Sequence, residues 1–361
     1  MTVDRQALFS GTEAPPEHLA LDVPRLARYL ADKIQGLDGL GEAFRVEKFK
    51  GGQSNPTYKL SGPGGCYVLR RKPPGPLLAS AHAIDREYRV MQAVGTVGFP
   101  VPRTYLYCED ERIIGSAFYI VSHHPGRVFW NAEMPGVSAA DRAAAYDDMN
   151  ARLAQLHQLD FVALGLGDLG RVGDYTARNL ARWSKVYEQS KLIDIPDMDW
   201  LMKTLPEMLP RNERTCLLHG DFGLYNIILD SDAPRIDAVL DWEMATLGDP
   251  FVDLAHHVRA WWEPPDPEGG SATSLKGRDL AALGIPAMDD YIDQYCRRMG
   301  LSELPHRNFY LGFVQFRYAA MVQGILKRVA IGTSSSRATV HRQERVLEIA
   351  ALARRTIAGR D

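Results

Sequence analysis

Leu218-His219-Gly220-Asp221-Phe222-Gly223-Leu224-Tyr225-Asn226, followed shortly by Asp241-Trp242-Glu243, is the most informative segment of the chain. Asp221 offers a carboxylate that can accept the proton of a substrate hydroxyl. Asn226 and Asp241 offer oxygen ligands to magnesium, a hard cation that takes few protein ligands and keeps the rest of its shell for phosphate and water. The apolar pair Val239-Leu240 would deliver Asp241 from a strand end, and a hairpin would separate it from Asn226. Short irregular loops then aim all three groups at one point. Phosphoryl transfer from a nucleotide needs this arrangement, because the protein's part there is positioning and charge neutralisation rather than covalent chemistry.

The rest of the chain is compatible with that chemistry and excludes several others. Its 361 residues can bury a real core and suggest about two domains or lobes. The formal net charge is -3 with acids and bases interspersed, so neither a nucleic-acid face nor a polybasic membrane patch is expected. Cys66, Cys108, Cys216 and Cys296 lie far apart without a CxxC spacing, which argues against a zinc ribbon, a redox pair or a disulfide framework. No basic leader or membrane-spanning apolar run is seen, and a cytoplasmic, reducing location is the simplest expectation.

Upstream of the opening stretch, residues to about Leu21 read as an irregular arm. Asp22 and Pro24 then resemble a helix start, with Leu26, Tyr29, Leu30 and Ile34 on one face. Strands follow at Phe44–Phe49, Pro56–Leu60 and Cys66–Arg71, joined by glycine-bearing turns. A helix over Ser80–Val94 puts Glu87 among apolar neighbours, and two more strands are expected at Arg103–Cys108 and Ala117–Ser122. Beyond His123 the pattern becomes mainly helical: Ala139–Leu159, Thr176–Lys191, Phe251–Trp262, Asp289–Arg298, His306–Ala330 and Ser335–Ala358. Short strands interrupt it at Cys216–His219, Ile227–Leu229 and Ala238–Leu240. Pro264 to Gly270 reads as an exposed loop.

These residues resemble the catalytic and metal-binding loops of the protein-kinase-like superfamily, and most closely the aminoglycoside phosphotransferase family. The matching pieces are His219-Gly220-Asp221, Asn226, Asp241-Trp242-Glu243, Gly248-Asp249-Pro250 and Asp253-Leu254, in the family's order and spacing. The resemblance covers roughly residues 40 to 330. It implies an α+β, protein-kinase-like two-lobe fold, with a β-rich lobe over residues 1–122 and a helical lobe over 123–361. It also implies ATP and Mg2+ as cofactors, with Asp221 catalytic and Asn226 and Asp241 holding the metal.

Further roles follow from the same resemblance. Gly51, Gly52, Ser54 and Asn55 correspond to the phosphate-covering loop, although the pattern is not G-x-G-x-x-G. Arg70 stands where the superfamily usually has a phosphate-pairing lysine, with Glu87 as its partner and Arg71 and Lys72 as neighbouring alternatives. Ile120 to His124, including Ser122, would connect the lobes beside adenine, and Ile228 would lie beneath the ring. His219, Asp249 and Asp253 read as bracing groups. His123-His124 and His256-His257 lack a third ligand at metal spacing.

Gly220 replaces the protein-kinase arginine, and the short stretch from Asp241 to Asp249 leaves no room for a peptide-docking loop, so a small-molecule hydroxyl is the expected acceptor. The helix bearing Arg178, Arg182, Lys185 and Lys191 disfavours a polycationic acceptor if it faces the site. Gly-Gly-Gln-Ser-Asn-Pro-Thr-Tyr from Gly51, Leu-Arg-Arg-Lys-Pro-Pro-Gly from Leu69 and His-His-Val-Arg-Ala-Trp-Trp from His256 resemble the kinase-like domains associated with acyl-CoA dehydrogenases. That implies a hydroxyacyl thioester or hydroxy acid as acceptor. An aminoglycoside, choline or amino-alcohol kinase, and an inactive nucleotide-binding module, are the alternatives. Oligomeric state is not legible.

Overall fold

The computed structural model describes residues 5–31, 33, 44–51, 55–62, 65–73, 84–211, 214–265, 274–332 and 343–359. Gly52 and Ser54 lie outside the described residues. So do Ile34, Ser80, Ser335 and most of the loop expected from Pro264 to Gly270.

The amino-terminal part is a six-stranded sheet, ordered β1-β2-β3-β4-β6-β5. Its strands are β1 (Thr12–Glu13), β2 (Arg45–Phe49), β3 (Thr57–Gly62), β4 (Gly65–Arg71), β5 (Thr104–Cys108) and β6 (Phe118–Ser122), all paired antiparallel. Successive strand residues face opposite sides. One face buries Tyr58, Leu60, Leu69, Phe118 and Ile120 against Leu26 and Leu30 of α2 (Val23–Ala31), which follows α1 (Arg5–Phe9). Asp22 Oδ1 accepts from the Arg25 amide at the start of α2, the capping interaction its sequence suggests. The opposite face carries α3 (Ile84–Gly95), whose Ile84, Glu87, Val90, Met91 and Val94 are buried.

The segment expected to be an irregular arm is instead docked. β1 extends the sheet edge at Thr12↔Phe49 and Glu13↔Lys48. Gln6 Nε2 donates to Val128 O at 2.9 Å, Gln6 Oε1 accepts from the Trp130 amide at 3.1 Å, and Phe9 lies 4.8 Å from the Trp130 ring. A two-residue strand has too few alternations to be seen as a period in sequence.

The remainder is helical around a large aromatic core. It contains α4 (Ala139–His157), α5 (Tyr175–Ser190), α6 (Pro196–Thr204), β7 (Cys216–Leu218), β8 (Ile227–Leu229), β9 (Ile236–Val239), β10 (Thr246–Gly248), α7 (Pro250–His257), α8 (Arg259–Trp262), α9 (Leu280–Leu283), α10 (Met288–Arg298), α11 (Arg307–Ala330) and α12 (Gln343–Ile357). Two differences from the sequence expectation bear on the site. The helix expected over Phe251–Trp262 breaks at Val258 into α7 and α8, which turns Arg259 and Trp261 toward the cleft. β10 pairs with β7 at Thr246↔Leu218, so the chain after Asp241 returns immediately to the strand that leads into His219. The four cysteines are unbridged. Among the described residues, no helix is long and apolar enough to cross a membrane.

Candidate active site

Three short strands deliver the groups named by the opening stretch. β7 ends at Leu218, and the next residues cannot continue as strand because Gly220 sits at φ +83°. A Cβ there would meet Met244 O at 2.6 Å, so an arginine at this position is excluded by the backbone of the following loop as well as by φ. The turn is held from below. Asp253, buried in α7, accepts from the His219 amide at 2.9 Å and the Gly220 amide at 3.0 Å, and lies 3.3 Å from His157 Nε2. His219 Nε2 donates to Leu240 O at 2.9 Å, while its Nδ1 accepts from the Asp221 amide at 3.3 Å. Asp249 caps α7 through the Phe251 amide and accepts from Tyr310 at 2.7 Å. The bonds to the His219, Gly220, Asp221 and Phe251 amides and to Leu240 O satisfy backbone groups that the irregular turn would otherwise leave unpaired, and His157 and Tyr310 hold the two carboxylates in place.

Asp253 therefore ties stability to pH. Burial alone would raise its pKa, but the His157 hydrogen bond and the neighbouring histidines outweigh burial and lower it from 3.8 to about 2. A depressed carboxylate contributes stability that is complete above its unfolded pKa and lost as pH falls through the folded one. Asp253→Asn is expected to cost about 2–4 kcal/mol at pH 7, since an amide cannot accept from both backbone donors and His157. Urea midpoints of wild type and variant should converge between pH 4 and pH 2; a constant difference across that window would separate Asp253 from the acid limb.

The catalytic-loop carboxylate is densely bonded. Asp221 Oδ1 accepts from Tyr225 Oη at 2.7 Å and lies 3.0 Å from His256 Nε2; Oδ2 accepts from Asn226 Nδ2 at 3.1 Å. Burial pushes the Asp221 carboxyl up, but the His256 and Tyr225 hydrogen bonds and the Arg259 charge hold it well below the usual carboxylate range. Asn226 spends its Nδ2 on Asp221 O and Oδ2, which directs its Oδ1 elsewhere.

Asp241 stands in the left-handed region at φ 62°, ψ 62°, an uncommon conformation for a non-glycine residue that lifts its carboxylate out of the β9 line. There it meets Arg70 of β4. Of the three adjacent cations, Arg71 points to Ser116 at 2.8 Å, whereas Arg70 faces the cleft, as the strand pleat requires of neighbours. Arg70 Nη2 donates to Asp241 Oδ1 at 2.7 Å, and Nε lies 3.1 Å from Glu87 Oε2, in ionic contact without hydrogen-bond alignment. Glu243 lies 3.5 Å from the same Nη2. Burial works against the charge on Arg70, but Glu87, Tyr119, Asp241 and Glu243 outweigh it and raise its pKa. Burial likewise raises the pKa of Glu87, with Arg70 and the Tyr119 hydroxyl pulling the other way. The Trp242 amide donates to Glu87 Oε1 at 3.3 Å, so α3 is joined to the Asp241 turn.

The remaining predicted residues lie around this centre in different ways. Gly51 lies against Phe9 and Trp130. Asn55 is fully buried and donates from Nδ2 to Glu243 at 3.2 Å, while its Oδ1 has no hydrogen-bond partner among the described residues. Ile120 is paired on both sides, to Leu69 and Leu106, and its side chain belongs to the sheet core. Ser122 is bonded to Arg103 and His124, so the connection between the two parts opens only past β6. Ile228 lies under that connection, where a Cβ on Gly126 would come within 2.3 Å of it. On the basic helix α5, Arg178 donates to the Gly173 and Arg171 carbonyls of the preceding turn, and Lys191, just past its end, pairs with Asp194 and Asp199. Its charge thus bears less on acceptor choice than its sequence suggested.

Sequence reasoning missed the groups that line the cleft beside Asp221. Phe129, Trp130, Tyr146, Phe222, Tyr225 and Trp261 form aromatic walls, with Met149, His256, His257 and Arg259 among them, and among the described residues no carboxylate joins that lining. Trp130 stacks on Tyr225 at 6.1 Å and 18°. Arg259 lies 3.5 Å from Glu263 and 5.0 Å from the Tyr318 ring. His256-His257 was weighed only as a metal pair; the two rings diverge, His256 to Asp221 and His257 to Phe222 O and Tyr291.

A sheet-bearing part whose buried arginine–glutamate pair meets an aspartate at the mouth of a helical part, beside a second aspartate and an asparagine, defines a kinase-like fold and site. The chain belongs to the phosphotransferase enzyme family, which matches residues 45–291. It is 41% identical over 323 residues to acyl-CoA dehydrogenase family member 10 of Mus musculus, a match covering 88% of this chain and 29% of the relative. To acyl-CoA dehydrogenase family member 11 of Homo sapiens it is 39% identical over 333 residues, covering 90% of this chain and 41% of the relative. The chain thus spans less than half the length of these relatives. A crystal structure from Ralstonia eutropha JMP134, provisionally designated an aminoglycoside phosphotransferase, superimposes with a TM-score of 0.84 at 40% identity, covering 94% of this chain and 99% of that one. A thermostable mutant of the aminoglycoside phosphotransferase APH(4)-Ia, solved with ADP and hygromycin B, shares the fold at a TM-score of 0.58 and 16% identity, covering 92% and 99%.

Proposed function

We propose that this chain transfers the γ-phosphate of ATP to a hydroxyl of a small molecule, with the nucleotide lying between a lobe of residues 1–122 and a helical lobe of residues 123–361. The observation that carries the proposal is the Arg70–Asp241 contact, which joins the β4 cation to the carboxylate that follows β9, with the Leu240 amide before Asp241 donating to Asn226 O at 2.8 Å and Asn226 in turn bonded to Asp221. Asp221 orients the acceptor hydroxyl through Oδ2 and takes its proton as the oxygen attacks phosphorus. Arg70 pairs the phosphates, and Gly51, Gly52, Ser54 and Asn55 cover them.

The residues suit magnesium. Asp241 Oδ2 has no donor among the described residues, Asn226 has turned its Oδ1 away from Asp221, and both are hard oxygen donors. Bound there, the metal would supply neutralisation of phosphate charge. Asp241→Asn is expected to abolish magnesium-dependent nucleotide binding while shifting the thermal midpoint by a few degrees at most; unchanged nucleotide affinity would remove Asp241 from the metal site.

For the acceptor, a cleft walled by aromatic rings and lacking carboxylates supports an apolar chain bearing a hydroxyl over a polycation, because a polycation needs unpaired negative charge to replace its hydration. Arg259 at its wall favours an acid or thioester group nearby. We therefore place a hydroxyacyl thioester or hydroxy acid ahead of an aminoglycoside, choline or amino alcohol. Phosphate transfer from radiolabelled Mg·ATP to a panel of these five acceptor types tests the order, and saturable transfer to a polycation would reverse it. Arg70 already neutralises Asp241 here, which supports a second reading, a nucleotide-binding module without transfer; nucleotide binding with no turnover on any acceptor would favour it.

A further inference from the structure

Asp221 Oδ1 receives two donors, Tyr225 from its own loop and His256 from α7, and His256 is itself held by a third side chain. Arg317 Nη2, on α11, lies 2.9 Å from His256 Nδ1, and His256 Nε2 lies 3.0 Å from Asp221 Oδ1. Arginine has five donors and no acceptor, so its contact with Nδ1 requires that nitrogen to present a lone pair. A neutral imidazole with a bare Nδ1 carries its proton on Nε2, where it faces the carboxylate. The other two forms conflict with their surroundings. The Nδ1–H tautomer would oppose two donors at Arg317 and two lone pairs at Asp221, and the imidazolium would oppose Arg317 both as a donor and as a like charge.

We propose that Arg317 locks His256 as the Nε2–H donor to Asp221, and that this pair selects Asp221 Oδ2 as the oxygen that meets the acceptor hydroxyl. The role in catalysis rests on the phosphotransferase reading above; the lock itself does not. A carboxylate oxygen offers about two lone-pair sites. Those of Oδ1 are taken by Tyr225 Oη and His256 Nε2, whereas Oδ2 has one, toward Asn226 Nδ2, and keeps the other. With both Oδ1 donors anchored, Tyr225 by stacking on Trp130 and His256 by Arg317, the carboxylate cannot rotate to exchange its oxygens. His256 and Arg317 are thus positioning residues. The charged and titratable groups facing His256 are Asp221 in the catalytic turn, Arg317 on α11, Arg259 on α8, and His257 and Asp253 on α7. Burial lowers the His256 pKa, and Arg317 and Arg259 lower it further against the opposing pull of Asp221. The neutral donor therefore persists below the usual histidine range.

Imidazole 15N–1H correlation spectra of the full chain, labelled at histidine, test the lock without any acceptor. Wild type at pH 6 and pH 7 is expected to show His256 protonated at Nε2 alone. In Arg317→Met, which removes the donor and its charge, His256 is expected to take up its second proton at a higher pH than in wild type, while Arg317→Lys, which restores both, should return the wild-type pattern. Nδ1–H in wild type, or the same spectrum in wild type and Arg317→Met, would overturn the proposal. With an accepted hydroxyl substrate, His256→Ala and Arg317→Met should each lower kcat roughly tenfold to a hundredfold, the loss of one hydrogen bond to a charged group, at unchanged nucleotide KM. His256→Gln, whose amide can donate, and Arg317→Lys should recover most of it. An unchanged kcat in His256→Ala would overturn the positioning role. Failure to transfer to any acceptor would count against the phosphotransferase reading and leave the spectral result to decide the lock.

Discussion

Asp221→Ala is expected to lower kcat for phosphoryl transfer by roughly 10²–10⁴-fold, the usual contribution of a positioned general base, with nucleotide affinity nearly unchanged. The separation follows from the site's division of labour. Arg70, Glu87 and Asp241 form one charged group at the proposed nucleotide end, whereas Asp221 is held by Tyr225, His256 and Asn226 at the proposed acceptor end. A low Asp221 pKa makes the carboxylate a weak base in the ground state, so its value lies in orienting the hydroxyl and accepting the proton late, as the oxygen's charge moves to phosphorus. Initial rates with a saturating acceptor, beside nucleotide binding measured by fluorescence, check this. Equal losses in both would show that Asp221 supports the nucleotide site, and an unchanged rate would remove it from the chemistry.

The largest effect on stability is expected at Arg70→Met. Glu87 is 1% exposed, and its carboxylate together with Asp241 and Glu243 converges on this one guanidinium. Removing one partner of a buried pair strands the other, at a cost of about 3–5 kcal/mol. The variant should also lose nucleotide affinity. Its pH dependence has a definite sign. Without Arg70 the balance at Glu87 tips further toward the burial that raises its pKa, and a carboxyl raised in the folded state contributes stability at low pH that is lost as pH rises through the folded pKa. Chemical denaturation should therefore find Arg70→Met closer to wild type at pH 5 than at pH 8; a deficit independent of pH would mean that lost packing, not the stranded charge, dominates. Arg70→Lys keeps the charge without the fork that spans Glu87 and Asp241, and should fall between the two.

The elements most legible in sequence were those whose signals are local. The strands and helices over 44–122 show alternation or 3.6-residue spacing long enough to count, and the family's motif residues cluster within a few tens of positions, so their order alone identified a kinase-like site. β1 was missed because a strand of two residues has no period, β10 because its Thr-Leu-Gly lacks the apolar run that marks β7 and β8, and α6 although Pro196 at its first turn is a start signal. The choice among Arg70, Arg71 and Lys72 needed the strand's facing, which the sequence pattern left open and the contacts with Glu87 and Ser116 decide.

Local periods in the sequence carried the α+β class, and the family resemblance implied the Asp221–Asn226–Asp241 constellation and the pairing of Arg70 or a neighbouring cation with Glu87. Only the tertiary structure decided that the amino-terminal segment lies on Trp130, that the cleft beside Asp221 has aromatic walls, and that His256 stands between Asp221 and Arg317, 35 and 61 positions away. The physical reason is that hydrogen-bond direction and burial are properties of the packed chain. A histidine followed by a histidine carries no sign of its partners until a helix on the far side of the fold brings an arginine to its free nitrogen.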